Sequence, residues 1–237
     1  MLPPTLRKVD VPTGRSGRFK VERFNVSEAS ARRFNAVNFC RRAEDRDIEA
    51  GTYTRLVREP AIRHLQGDDP VVVMSDTPAE LRDHAEAVER AHGRCLVNGL
   101  GLGVVAQAML DKPEVSHVTV VESSIDVVSL TGDYYRSMPR YEGRLEIVVS
   151  DALSWKPPRG ATWDVVWHDI WDMISADNWE SMKRLHRRYG RRAGWQGSWC
   201  RDRVFRMVEQ ERGRIAEDPW VPDFIVDMVA DRAVKGR

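Results

Sequence analysis

Leu96-Val97-Asn98-Gly99-Leu100-Gly101-Leu102-Gly103-Val104-Val105 decides the fold. Leu96 and Val97 end a short apolar strand, glycines on alternate positions turn the chain, and an apolar helix starts at Val104. Without a Cβ the backbone can turn sharply and come within contact of a ligand. The stretch reads as a nucleotide-type loop, and its meaning depends on which acidic residues follow and at what distance.

Acidic residues follow at the ends of further strands. His117-Val118-Thr119-Val120-Val121 predicts a second strand closing on Glu122. Residues 145–149 predict a third, followed by Ser150-Asp151, and residues 163–167 a fourth, followed by His168-Asp169. Between them lie an apolar helix ended by Lys112-Pro113 and another opening at Ser124-Ile125-Asp126-Val127-Val128. Such alternation from residue 94 to 189 argues an α/β fold, a Rossmann-like parallel sheet covered by helices in three layers. Ligands of these sheets sit at the carboxyl ends of the strands. Asn98, Gly99, Gly101, Gly103, Glu122, Asp151 and Asp169 are therefore expected to converge on one crevice. Glu122 follows the glycines by roughly twenty residues, the spacing at which a carboxylate accepts the hydroxyls of a ribose. Asp151 can accept from an exocyclic adenine amine, and His168 is expected to point away from Asp169.

Upstream, residues 1–18 are rich in Pro, Gly and Arg and predict a mobile or loosely packed arm. Phe19-Lys20-Val21-Glu22-Arg23-Phe24-Asn25-Val26 alternates as a half-buried strand does. Ser27 caps a predicted helix through about residue 42 with Ala31, Phe34, Val37 and Asn38 on one face. Two more strands, at 51–57 and 70–74, complete a small N-terminal α+β cap. The expected division is arm and cap over 1–75, a cofactor-binding core over 76–200 and a helical extension over 201–237. Thr77-Pro78-Ala79-Glu80 opens the core with a capping box and a proline at the first helical position, ahead of an inward stripe of Leu81, Ala85, Val88 and Ala91.

Downstream, Ser175-Ala176-Asp177-Asn178 caps a helix to about Tyr189, with Trp179, Met182, Leu185, His186 and Tyr189 inward. Residues 193–196 offer a short fifth strand, and a second helix starts at Asp202 with Val204, Met207, Val208 and Ile215 inward. Beyond Asp218-Pro219-Trp220-Val221-Pro222, residues 223–234 are amphipathic. The formal charge of +1 conceals a basic segment in which nine Lys or Arg from Lys183 to Arg206 face only Asp202. Arginines beside aromatics can hold a phosphate backbone; the alternative is a solvated helix face. With 42% hydrophobic and 31% charged residues, no secretory signal and no apolar run near the ~20 residues a bilayer needs, a cytoplasmic chain with no membrane partner is expected. Cys40, Cys95 and Cys200 form no CxxC pair, so reduced thiols and no metal site are expected.

Residues 77–172 resemble the class I S-adenosylmethionine-dependent methyltransferases. The resemblance implies S-adenosylmethionine as cofactor. It places the glycine turn against the methionine part, Glu122 of Val120-Val121-Glu122-Ser123 on the ribose, and Asp151 of Ser150-Asp151-Ala152-Leu153 at the adenine. It also implies that His168-Asp169-Ile170-Trp171-Asp172 faces the acceptor, a small molecule or a nucleic acid. Asp169 is then the catalytic group that removes or orients the acceptor's proton, and Trp171 and Asp172 are substrate contacts. The strand-four ending and the capped helix before strand one also look like the spermidine synthase branch, which keeps aminopropyl transfer open. There are two departures. Asn98 stands where the family carries its first acid, and the elements that complete the family's sheet are not found after Tyr189, so a truncated sheet is allowed for. Rival readings are a nicotinamide site on Gly101-Leu102-Gly103-Val104-Val105-Ala106 and a nucleic-acid-binding module without methyl transfer. A homo-oligomer is a further expectation.

Overall fold

The computed structural model describes residues 2–41, 43, 46–60 and 69–217, the side chains of 215–217 aside. The expected chain break at 218–222 and the amphipathic segment at 223–234 lie outside the described residues, and so does the side chain of Ile215.

The central sheet has the order β7-β6-β5-β8-β9, and every neighbouring pair is parallel. β5 (Gly93–Asn98) lies in the middle, with β6 (Val115–Glu122) and β7 (Leu145–Val149) on one side and β8 (Trp163–His168) and β9 (Ala193–Ser198) on the other. This is the doubly wound Rossmann-like arrangement expected, with its switch of direction beside β5, where such sheets open a crevice. The inner strands are near-continuous apolar runs because helices cover both of their faces. The fifth strand is longer than its sequence suggested, and the sheet has five strands among the described residues. All seven residues of α4 (Val104–Leu110) are buried. After β6 the chain runs through α5 (Ile125–Val127), a π turn over Val128–Gly132 and α6 (Asp133–Arg136). Thr131 Oγ1 lies within the π turn, 3.0 Å from the Gly101 carbonyl, and ties that turn to the glycine loop.

The N-terminal region forms an antiparallel sheet of β1 (Gly14–Ser16), β2 (Phe19–Val26), β3 (Gly51–Arg58) and β4 (Val71–Ser75). Its α1 (Glu28–Cys40) starts where expected, with Ser27 Oγ accepting from the Ser30 N–H. Its packing differs from expectation. Ala31 and Asn38 are buried, whereas Phe34 and Val37 are 50% and 47% exposed. The arm differs more. Leu6, Val9 and Val11 are 4%, 1% and 0% exposed and join the core cluster that contains Val21, Leu56 and the inner strands. Proline and glycine hide any period there, yet three apolar side chains suffice to bury the segment once Arg23 donates to the Val9 and Val11 carbonyls.

The helix after Thr77 is also not continuous. It divides into α2 (Pro78–Asp83) and α3 (Ala85–Arg90), with His84 between them at φ −100° and ψ −4°. Thr77 makes no side-chain cap bond; Glu80 Oε2 reaches back to the Ser75 N–H at 3.0 Å instead. Last come α7 (Asn178–Tyr189) and α8 (Arg201–Glu217), which pack on one another. Met182, Leu185, Tyr189 and Val204 are fully buried. No helix among the described residues is long and apolar enough to cross a membrane.

Candidate functional site

A cavity of about 330 Å³ opens at the carboxyl ends of β5, β6, β7 and β8. Gly99 and Gly101 form one wall; Glu122, Ser123 and Ser124 continue it from β6. Asp151, Ala152 and Leu153 follow β7, and Asp169, Ile170, Trp171 and Asp172 follow β8. The antiparallel sheet contributes Phe19, Leu56, Arg58 and Met74, while α2 and its junction with α3 contribute Glu80 and His84.

Strand alternation selects which predicted residues face this space. Asn98 and His168 are register partners on β5 and β8, so their side chains share one face. There Asn98 Nδ2 donates to His168 Nδ1 at 2.8 Å, and both side chains are fully buried. The expectation that Asn98 points into the crevice is thus not met; only its backbone carbonyl approaches, accepting from the Asp169 N–H at 2.8 Å. His168 points away, as expected, with burial and the neighbouring His186 lowering its pKa to about 3. Gly103 does not line the cavity either. It turns at φ +75°, and a Cβ there would fall 2.1 Å from the Tyr135 ring, so this glycine serves packing against α6. Gly99 does line it, at φ +97°, and a Cβ would stand 1.9 Å from the Asp169 carbonyl oxygen. The loop is therefore pressed against the end of β8.

Glu122 is 8% exposed and staples this loop to β6. Its Oε2 accepts from the Leu100 N–H at 2.8 Å, and Oε1 from the Ser124 N–H at 2.8 Å and from Ser123 Oγ at 3.3 Å. A carboxylate has about four acceptor positions, so capacity is left on the side facing the cavity. Asp151 is exposed at the other end, with Oδ1 accepting from the Leu153 N–H at 2.8 Å. Asp169 Oδ2 stands 3.8 Å from His84 Nε2. Burial, reinforced by Glu80, Asp83 and Glu122, pushes the Asp169 carboxyl well above its ordinary range. Burial draws His84 the other way, to about 4, and neither of its ring nitrogens has a hydrogen-bond partner.

Trp171 and Asp172 both reach the wall. Trp171 Nε1 donates to Ser181 Oγ at 2.8 Å, and Asp172 pairs with Arg58 at 2.5 Å. Sequence reasoning missed His84, Arg58 and Trp199 as cavity residues. His84 had a legible signal, since it lies three residues after Leu81 and four before Val88, on the inward stripe itself. Arg58 had none, because only the packing of one sheet over the other brings it here.

Comparison with protein-family models gives no match, and none of the curated proteins matches the chain. Solved structures give partial likenesses. CcbJ methyltransferase from Streptomyces caelestis is 19% identical over 46% of this chain and 44% of its own, with a TM-score of 0.37. The glycopeptide N-methyltransferase MtfA, solved with S-adenosylmethionine, is 17% identical over 47% and 44%, with a TM-score of 0.37. An S-adenosylmethionine-dependent methyltransferase from Clostridium acetobutylicum is 13% identical over 48% and 43%, with a TM-score of 0.33. The matched region thus spans less than half the length of each of these proteins.

The basic segment is partly structural. Arg188 donates to the carbonyls of Ala152, Leu153 and Trp155, and Arg192 to that of Ala161 at 3.0 Å, so both hold the chain between β7 and β8. Its aromatics have internal partners as well: Trp195 stacks on Trp167 at 6.3 Å, and Trp179 meets Phe205 at 5.2 Å. An Arg188→Met change is expected to cost about 2–4 kcal/mol by leaving these carbonyls unpaired, whereas Arg184→Met on the exposed side costs less than about 0.5 kcal/mol; urea denaturation of the two variants checks this. Burial pushes the Cys95 and Cys200 thiols up to about 12, which suits packed thiols and not nucleophiles.

Proposed function

We propose that the chain is an S-adenosylmethionine-dependent methyltransferase. One observation carries the proposal: Gly99, Gly101, Glu122, Asp151 and Asp169 line a single cavity at the switch point of a doubly wound sheet. Its about 330 Å³ lies at the lower end of the roughly 300–1,000 Å³ that small-molecule sites occupy. The residues present suit the cofactor. Glu122 keeps acceptor capacity for ribose hydroxyls, Val127, Ala152 and Leu153 offer an apolar slot beside Asp151 for a base, and Gly99 and Gly101 leave the loop side free of side chains.

When bound, the cofactor supplies an electrophilic methyl group. The chain's own contribution is alignment and proton handling. Asp169 takes or orients the acceptor's proton, and burial among Glu80, Asp83 and Glu122 raises the affinity of its carboxyl for that proton. Trp171 offers an aromatic wall to the acceptor, and Asp172, fixed by Arg58, a polar contact at the entrance. The antiparallel sheet of the cap, within residues 1–75, covers the site carried by 76–200.

Isothermal titration of the full chain with S-adenosylmethionine tests the proposal. Binding is expected, with Glu122→Ala weakening it by about 10- to 100-fold through loss of a charged acceptor. No heat at millimolar cofactor, in wild type and variant alike, would overturn it. Binding of reduced nicotinamide cofactor in its place would favour hydride transfer.

A further inference from the structure

One part of the cavity lining combines a histidine with carboxylates. Glu80 of α2, His84 at the α2–α3 junction and Asp169 after β8 meet there beside Met74. His84 is only 1% exposed yet lines the cavity with both ring nitrogens unpartnered. Its 3.8 Å separation from Asp169 is too long for a hydrogen bond. Buried polar groups are normally paired, so an imidazole left idle beside two carboxylates marks a polar subsite, where its lone pair can accept from a donor.

We propose that this part of the cavity receives an ammonium group, with Glu80 and Asp169 supplying negative charge and His84 an acceptor lone pair. An anion would be repelled by the carboxylates. An apolar group would leave His84 and Asp169 unpaired. The nearby guanidiniums are already committed: Arg46 bridges both oxygens of Asp83 at 2.7 Å, and Arg58 pairs with Asp172. Burial raises the proton affinity of Glu80 and Asp169 and lowers that of His84. Asn98, at the end of β5, faces the far side of the sheet and takes no part in this cluster.

The inference deepens the proposed function and rests on it for the adenosine end of the cavity. An ammonium can come from the amino-acid part of the cofactor or from an amine acceptor. Titration of the full chain with S-adenosylhomocysteine, with 5′-methylthioadenosine, and with 1,3-diaminopropane separates the sources, in wild type, Glu80→Gln and His84→Asn. Thermal melts confirm that the variants fold, and the near-isosteric Glu80→Gln keeps the test open if His84→Asn does not.

If the cofactor supplies the group, S-adenosylhomocysteine binds about 10- to 100-fold tighter than 5′-methylthioadenosine, and each substitution removes roughly tenfold of that excess without weakening the shorter nucleoside. If the acceptor supplies it, the two nucleosides bind equally, and the diamine binds the 5′-methylthioadenosine-loaded protein in a manner that Glu80→Gln weakens by roughly tenfold. Nucleoside binding with neither dependence overturns the ammonium site and leaves the methyltransferase proposal standing. Failure of both nucleosides to bind overturns that proposal instead, and the ammonium site is then judged on the diamine alone: binding weakened by Glu80→Gln supports it, and absent or unchanged binding overturns it.

Discussion

An Asp169→Asn variant is expected to lose activity and gain stability together. With S-adenosylmethionine and a small-molecule cell extract as acceptor source, release of S-adenosylhomocysteine should fall by about 10²- to 10⁴-fold, the range for loss of a positioned acid–base group. The stability change follows from the direction of the Asp169 shift. A carboxyl whose folded pKa lies above its unfolded value of 3.8 is no burden while protonated in both states. As pH rises through 3.8 and on through the folded value, the unfolded chain ionises freely and the folded one does not, so the wild type loses stability relative to the asparagine variant. The melting temperatures should therefore lie close together near pH 3.5 and separate as pH rises, with the variant higher. A gap that stays constant with pH would mean that the Asp169 carboxylate is solvated.

Gly99→Ala should be the most damaging single-methyl change in the glycine loop. Its φ of +97° strains any L side chain, and the new Cβ would meet the Asp169 carbonyl at 1.9 Å, a backbone atom that cannot swing aside. A loss of about 3–5 kcal/mol is expected in urea denaturation, with cofactor binding reduced because the end of β8 is displaced. Gly101→Ala meets Met74 Sδ at 2.6 Å, the end of a flexible side chain, and should cost less. Gly143→Ala, at φ +71° with nothing within 4 Å, should cost only the left-handed backbone term of about 1–2 kcal/mol. Equal losses for all three would contradict the close approach of the loop to β8.

Strands β5 to β8 were legible because each is a short apolar run bounded by a turn residue, and Glu122, Asp151 and Asp169 were legible because such runs end on them; β9, with two glycines and a glutamine, gave a weaker signal. Side-chain direction was less so. Alternation turned His168 away correctly, but the same outcome for Asn98 depends on its register with His168 across β5 and β8, which the sequence does not print. Gly103 looks like its neighbours in sequence and differs only in meeting Tyr135. The buried arm was hidden by its prolines, since three apolar residues without a period give no signal. Arg188 illustrates the limit for charge: among the nine Lys or Arg of the basic segment, only three-dimensional packing shows that it is tied to the carbonyls of Ala152, Leu153 and Trp155. Arg58 and His84 enter the site because the antiparallel sheet and the α2–α3 junction cover the crevice, a relation between distant segments.

On the proposed function, the cavity at the ends of β5, β6, β7 and β8 takes an adenosine-bearing methyl donor. A crystal structure of the full chain grown with S-adenosylhomocysteine tests it most directly. The ligand is expected within that cavity, its ribose hydroxyls on the Glu122 carboxylate and its base beside Asp151, Ala152 and Leu153. Saturating ligand bound elsewhere, or bound in the cavity with no contact to Glu122, would contradict it.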